Sequence, residues 1–208
     1  MRLSPYRVAV TSAGLLLVAA FVGCGQPASA PPAAAPAPAA APVASAESQI
    51  ERGRLLILGG ACHDCHTPKK IGPNGPEADM SLTLSGHPQS DVITAPYKQK
   101  PGEKWTTHVN DHLTAWSGAW GVSFAANLTP DQNTGLGIWT EDMFLEAIKG
   151  GKHMGKGRTI LPPMPWMYYG QLKDDDLKAM FAYLKSIPAI SNRVPVPLGP
   201  DGKPIEAP

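Results

Sequence analysis

The chain has 208 residues, enough for one ordinary domain with additional segments, and an apolar fraction of 43% permits a modest packed core. Its formal net charge is +1, with 18 basic and 17 acidic residues. Nucleic-acid binding depends on a strongly basic surface, so this near balance predicts no nucleic-acid partner.

The first 23 residues have the pattern of a bacterial export signal. Arg2 and Arg7 supply positive charge, and residues 8–22 are apolar but too short and too alanine-rich for a comfortable membrane span. Gly23-Cys24 then resembles a lipobox, and Cys24 is the one cysteine outside a later Cys-x-x-Cys motif. We expect residues 1–23 to be removed and Cys24 to be lipidated. An ordinary signal peptide with an incidental cysteine is the alternative.

Residues 24–46 are nearly all alanine, proline and serine, which predicts a semi-rigid tether without a core of its own. Ser48-Gln49-Ile50-Glu51 has the form of a capping box and predicts the start of a helix. We expect Ile50, Leu55 and Leu58 to form the buried stripe of this helix. Gly59-Gly60 should end it.

Cys62-His63-Asp64-Cys65-His66 follows at once and is typical of covalent c-type haem attachment. Two thiols at this spacing can bind the two haem vinyl groups, and the next histidine can then ligate the iron. A zinc site would need further ligands, and no other cysteine follows. A thioredoxin-like pair would need an alternating strand and helix pattern, which is absent. We therefore predict one haem c, bound through Cys62 and Cys65 and ligated by His66.

Residues 71–121 have the composition of a loop, with several prolines, glycines and polar runs. A structureless loop of this length is uncommon in a compact domain, so we expect a small subdomain or a functional cover. Trp105, Trp116 and Trp120 either cover the haem edge or form the core of this insertion. His108 and His112 have the spacing of a metal-binding pair only if the segment is helical.

Two further helices are predicted downstream. The first runs from Thr140, as N-cap, to about Lys149, and Gly150-Gly151 stops it. The second runs from about Asp174 to Ser186, because three aspartates favour its beginning and a proline follows its end. Its apolar face consists of Leu177, Met180, Phe181 and Leu184. Residues 191–208 form a proline-rich tail that wraps the surface or frays.

The sixth iron ligand is the second chemical question. Met164 lies between Pro163 and Pro165, which restrict the backbone and can hold a sulfur atom at a fixed point. A methionine thioether raises the reduction potential of a haem, as suits an electron carrier. His153 is the main rival, and an open sixth position is the third possibility. The other methionines lie on apolar helix faces or in other loops: Met80, Met143, Met154 and Met180.

These motifs resemble those of the class I c-type cytochromes, and among them the monohaem domains of bacterial membrane-bound alcohol and gluconate dehydrogenase cytochrome subunits. The resemblance covers about residues 49–188 except for 71–121. The matching stretches are Gly53, 62–67, 127–131, 134–140, 161–165 and Tyr183-Leu184. It implies an all-α, cytochrome c-like helical domain over residues 47–190, interrupted by a loop-rich insertion at 71–121. It also implies Met164 as axial ligand and a close crossing of Gly53 against the Tyr183 region.

Three more residues are candidates for the haem pocket. The resemblance implies that Trp139 lines the haem, which is compatible with an ordinary core position. Arg158 could pair with a haem propionate or steer an acidic partner, although a solvated basic loop is an equal alternative. Asn127 could hydrogen-bond a propionate or orient the methionine loop, or it could cap the turn before Thr129-Pro130.

The sequence thus predicts a one-electron carrier with His/Met ligation, and no catalytic residues are visible. We expect it to accept electrons from a dehydrogenase or respiratory complex and to pass them to an oxidase or another cytochrome. It should lie on the periplasmic face of a bacterial membrane as a lipoprotein, or else be soluble in the periplasm. The alternatives are a haem enzyme, such as a peroxidase or small-molecule oxidase, and a haem-based sensor. Both need an open or displaceable sixth position.

Overall fold

The computed structural model describes residues 45–205. The helices of this region are α1 (Ala46–Gly59), α2 (Cys62–His66), α3 (Glu141–Gly150), α4 (Trp166–Tyr169) and α5 (Asp174–Ser186). Its strands are β1 (Lys69–Gly72), β2 (Gly75–Ala78), β3 (His108–Val109), β4 (Ala115–Gly118) and β5 (Gly121–Phe124). Two 3-10 turns lie at Met80–Leu82 and His153–Gly155.

Helices α1 and α5 form the main helix pair and cross at Gly53. A β-carbon built on Gly53 would lie 1.9 Å from the carbonyl oxygen of Ala179 and 2.9 Å from Cβ of Tyr183. Only glycine allows the two backbones to approach this closely. The close crossing expected of Gly53 against the Tyr183 region is confirmed.

The main core surrounds this helix pair. Leu177, Met180, Phe181 and Leu184 of α5 are all buried, as their helical spacing predicts. Ile57 of α1 and Leu84, which follows the first 3-10 turn, pack into the same cluster. The insertion therefore contributes a side chain to the main core.

The start and the buried face of α1 differ from the sequence prediction. The N-cap is Ser45, whose side chain accepts a hydrogen bond from the Ser48 backbone at 3.2 Å, so the helix begins three residues earlier. Leu55 and Leu58 are more than half exposed. The buried face follows Gly53 and Ile57, because the close contact with α5 fixes the rotation of the helix.

The all-α prediction is wrong, because the described chain contains two small antiparallel sheets. Strands β1 and β2 form a hairpin directly after the haem motif, and β3, β4 and β5 form a three-stranded sheet in that order. Each strand has only two to four residues. Strands this short show no reliable alternation of apolar and polar residues, so their sequence reads as loop. The fold is mixed α and β.

The chain after α5 packs along the three-stranded sheet. Val122 and Leu198 exchange two backbone hydrogen bonds of 2.8 and 2.9 Å. The two residues share a second, smaller core cluster with Ala115 and Phe124. Strand β5 is therefore hydrogen-bonded to β4 on one side and to the tail on the other. Across residues 45–205, no helix combines the length and apolar character needed to cross a membrane.

Candidate haem site

The Cys-x-x-Cys-His motif forms the short helix α2. Gly60 ends α1, and Ala61 takes a left-handed conformation with φ of 54°, which redirects the chain into α2. Cys62, Cys65 and His66 occupy positions i, i+3 and i+4, so they share one face of a single helical turn. The fold thus brings the three predicted attachment and ligand residues together.

Cys62 and Cys65 are both half-buried. Burial raises the pKa of the Cys62 thiol to about 11, and burial also raises the pKa of the Cys65 thiol. Within residues 45–205, no three His, Cys, Asp or Glu side chains are grouped as a metal site.

The His66 ring is held in one orientation by a backbone contact. Its side chain is buried, with 8% of the residue exposed, and Nδ1 lies 2.7 Å from the carbonyl oxygen of Ala126. Nδ1–H donates to that carbonyl, which leaves Nε2 with its lone pair, and Nε2 has no hydrogen-bond partner in the described chain. Burial lowers the pKa of His66, which favours the neutral ring that can ligate. These observations fit a haem iron on Nε2.

The methionine loop, residues 161–165, is hydrogen-bonded to the three-stranded sheet and leads into α4. Helix α4 is in turn hydrogen-bonded to the end of α1. At the beginning of the loop, the Ser123 hydroxyl donates to the Pro162 carbonyl. In α4, the Tyr169 hydroxyl donates to the Gly60 carbonyl. Met164 is half-buried in this loop.

The competing ligands have different environments. Met180 is 4% exposed in the main core, whereas Met80 is 63% exposed. Met154 is half-buried and has a positive φ of 53°. His153 packs edge-on against Trp139 with ring centroids 5.2 Å apart, and burial lowers its pKa. Trp139 also packs against the main core.

Arg158 is half-buried in the loop between α3 and the methionine loop. Its guanidinium makes no hydrogen bond or ion pair with any side chain or backbone group of residues 45–205. Burial lowers its pKa, as expected for a cation removed from water. A half-buried cation without a partner among residues 45–205 could pair with the carboxylate of a haem propionate.

The Asn127 side chain is committed to protein groups. Its Oδ1 accepts hydrogen bonds from the backbone and the hydroxyl of Thr129 at 2.9 and 2.8 Å. Its Nδ2 donates to the Ile190 carbonyl at 2.8 Å. These contacts favour the turn-capping role over a bond to a propionate.

The remaining candidates do not form a site within the described chain. His108 lies on β3, stacked on Tyr97 at 3.6 Å, whereas His112 bonds to the Lys69 carbonyl at 2.7 Å. Trp105 is 74% exposed. Cys24 lies outside the described residues.

Sequence reasoning missed the groups that support the ligands, namely the Ala126 carbonyl, Ser123 and Tyr169. A backbone carbonyl carries no signal in its side chain. Ser123 and Tyr169 act through contacts with residues 39 and 109 positions away in the chain. No local pattern could have identified them.

No protein-family model matches the chain. The gluconate 2-dehydrogenase cytochrome c subunit of Pantoea cypripedii is 38% identical over 137 residues, which cover 66% of this chain and 23% of that protein. The alcohol dehydrogenase (quinone) cytochrome c subunit of Gluconobacter oxydans is 34% identical over 79 residues, which cover 36% of this chain and 16% of that protein. The fructose dehydrogenase cytochrome subunit of Gluconobacter japonicus is 26% identical over 135 residues, which cover 65% of this chain and 20% of that protein.

The chain spans less than a quarter of the length of each of these relatives. The similarity nevertheless agrees with the motifs and with the geometry around His66. The resemblance seen in the sequence is confirmed: this chain is a homologue of the cytochrome c subunits of bacterial gluconate, alcohol and fructose dehydrogenases, in keeping with a cytochrome c domain.

Proposed function

We propose that this protein is a one-electron carrier with a single haem c, held by thioether bonds to Cys62 and Cys65. The observation that carries the proposal is His66, whose buried ring bonds through Nδ1 to Ala126 and keeps Nε2 for a metal. When bound, the haem iron supplies a couple between its ferric and ferrous states. The cytochrome names of the homologues support haem c.

We assign Met164 as the second axial ligand. Its thioether would favour the reduced iron and raise the potential, and the proline-flanked loop would hold the sulfur in place. His66, on the other side, would be kept in one orientation by the Ala126 carbonyl. Arg158 would neutralise a propionate, and Trp139 would exclude water from one side of the pocket.

The relatives are cytochrome subunits of dehydrogenases rather than named catalytic subunits, in agreement with the expectation that this chain is not itself an enzyme. We therefore propose a dehydrogenase as electron donor and an oxidase or another cytochrome as acceptor. The carrier would work on the periplasmic face of a membrane, anchored through lipid on Cys24.

Visible spectroscopy of the matured protein tests the haem assignment. Its pyridine haemochrome should show the absorption band of a haem with two thioether bonds. Cys62→Ala and Cys65→Ala should each move that band to the position of a haem with one thioether bond. The ferric protein should show the far-red charge-transfer band of methionine-ligated iron. A high-spin ferric spectrum would instead support a haem enzyme or sensor.

Substitution of Met164 tests the ligand. Met164→Ala should abolish the charge-transfer band, lower the reduction potential and let carbon monoxide bind the reduced iron. His153→Ala should change none of these properties. The opposite pattern would assign the sixth position to His153.

Localisation needs its own experiment. When the full chain is expressed with its leader, the mature protein should partition with membranes and carry a lipid-modified N-terminal cysteine detectable by mass spectrometry. Cys24→Ala should release it into the soluble periplasmic fraction. A soluble wild-type protein would refute the lipid anchor.

A further inference from the structure

The methionine loop makes very few hydrogen bonds of its own. Prolines at positions 162, 163 and 165 have no N–H group and cannot donate. Across the described part of the chain, the only hydrogen bond made by residues 161–164 is the one that the Pro162 carbonyl accepts from Ser123. At the other end of the loop, the Pro165 carbonyl accepts hydrogen bonds from the Tyr168 and Tyr169 backbones of α4. Ser123 therefore supplies the hydrogen bond that holds residues 161–164.

The hydroxyl of Ser123 is oriented for this contact. Trp120 Nε1 donates to Ser123 Oγ at 3.3 Å, so the oxygen accepts from one side and its single proton is free to be donated. The Trp116 carbonyl, at 3.5 Å, is a poorer acceptor than the closer Pro162 carbonyl. Ser123 itself is 7% exposed, so water competes little for the bond.

Strand β5 is a firm support for Ser123. It pairs with β4 from Gly121 to Phe124, and on its other side Val122 exchanges two backbone hydrogen bonds with Leu198. A strand bonded on both sides cannot shift without breaking several bonds together. The position of the Ser123 hydroxyl is thereby fixed relative to the rest of the sheet.

The same strand leads directly to the contact with His66. Three residues after Ser123, the carbonyl of Ala126 accepts the hydrogen bond from His66 Nδ1. Residues 123–126 thus contact both the loop of one proposed axial ligand and the ring of the other. A change in this segment would alter the placement of both.

We propose that Ser123 is a positioning residue for the methionine loop, and that the sheet β3–β5 fixes the position of Met164 through this contact. The inference rests on the proposed role of Met164 as an iron ligand. It gives a role to the sheet that the end of the insertion forms with β5, which the haem motif leaves unexplained. Loss of the Ser123 hydroxyl makes displacement of Met164 easier while leaving the haem attached.

The test uses the matured haem protein and imidazole as a competitor for the Met164 position. Ser123→Ala should increase the affinity of the ferric protein for imidazole about fivefold, as the net value of one hydrogen bond implies. It should also weaken the far-red charge-transfer band. Ser123→Thr, which keeps a hydroxyl, should stay close to the wild type in both measurements.

Ser117→Ala is the matched control. Ser117 lies on β4, pairs with Val122 of β5 and accepts a hydrogen bond from the Tyr97 backbone at 2.8 Å. Its removal costs the sheet a comparable bond without touching the methionine loop, so imidazole affinity should stay within about twofold. Hydrogen exchange of the Tyr168 amide, which bonds to the Pro165 carbonyl at the end of the methionine loop, should accelerate in Ser123→Ala and not in Ser117→Ala.

The outcomes separate the two proposals. If Met164→Ala alters the spectrum but Ser123→Ala matches Ser117→Ala in imidazole affinity and exchange, the positioning role is refuted and the ligation stands. If Met164→Ala leaves the spectrum unchanged, the ligation is wrong and the positioning role falls with it. Greater imidazole affinity in Ser123→Ala alone, with normal affinity in Ser123→Thr, supports the inference.

Discussion

Gly53 lies against Ala179 with no room for a side chain, since an added β-carbon would stand 1.9 Å from the Ala179 carbonyl oxygen. That oxygen belongs to the backbone of α5 and cannot move aside as a flexible side chain could. The helix pair α1 and α5 must therefore separate if position 53 gains a methyl group. Helix α1 leads directly into the haem motif, so a separation of α1 from α5 would also displace α2.

We predict that Gly53→Ala lowers the free energy of unfolding by about 2 to 3 kcal/mol, because overpacking between two backbones forces them apart. Gly59→Ala is the control on the same helix, since no atom lies within 4 Å of its added β-carbon. That variant should be neutral or slightly stabilising, as alanine favours helix. Denaturant unfolding followed by far-UV circular dichroism gives both values. Equal stability of the two variants would contradict the prediction.

Asn192 fastens the tail to the insertion. Its Nδ2 donates to the carbonyls of Ser85 and His87 at 2.7 and 2.8 Å, and its Oδ1 accepts from the Gln89 backbone at 2.9 Å. Asn192→Ala leaves three backbone groups without this partner and should destabilise the protein by about 2 to 4 kcal/mol. The neighbouring exposed Ser191, changed to alanine, should have almost no effect. Thermal and denaturant unfolding of both variants checks this contrast.

We predict that the buried His87 side chain lowers the free energy of unfolding of the protein in mild acid. The side chain is fully buried, its Nε2 donates to the Asp91 carbonyl, and its Nδ1 accepts from the Thr114 hydroxyl, as suits a neutral ring. Burial lowers its pKa in the folded state, so below the unfolded value of about 6.5 the unfolded chain binds the proton first. Stability contributed by the neutral ring is present above that value and is lost as the pH falls through the folded pKa.

The slope of this loss is at most about 1.4 kcal/mol per pH unit for one proton. In His87→Gln the free energy of unfolding should fall less steeply between about pH 6.5 and 5 than in the wild type. Parallel curves for the two proteins would show that His87 does not titrate on unfolding.

Arg158 offers a test of the propionate contact through the reduction potential. If Arg158 pairs with a propionate, removing its positive charge favours the ferric state, so Arg158→Gln should lower the potential by on the order of 40 mV, somewhat less than one decade in the redox equilibrium. Lys156→Gln makes the same charge change at an exposed position of the same loop and should shift the potential far less. Similar shifts in both variants would indicate a general charge effect instead.

The bounds of two helices could be predicted closely from sequence. The Thr140 side chain caps α3, and α5 extends from Asp174 to Ser186, where acidic residues at the start and a proline after the end are local signals. The buried face of α1 could not be predicted, because it is selected by a contact with α5. Apolar spacing alone favoured Leu55 and Leu58, which face away from the core.

For the candidate haem site, too, local signals could be predicted from the sequence and long-range contacts could not. Cys62, Cys65 and His66 are adjacent in sequence, so their chemistry is visible without a structure. The sheet that carries Ser123 has strands too short for periodicity, and its link to Pro162 joins distant parts of the chain. Pairings of that kind depend on the assembled fold, and they emerge only from the three-dimensional arrangement.

The separation of α1 from α5 along the chain has a consequence for folding. Arg52 of α1 bonds to Asp176 of α5 across 124 residues, so the helix pair closes only through a long-range contact. Without α5, the face of α1 that carries Gly53 has lost its partner. The two ends of the domain must therefore meet before the helix that leads into the cysteine pair is held in place.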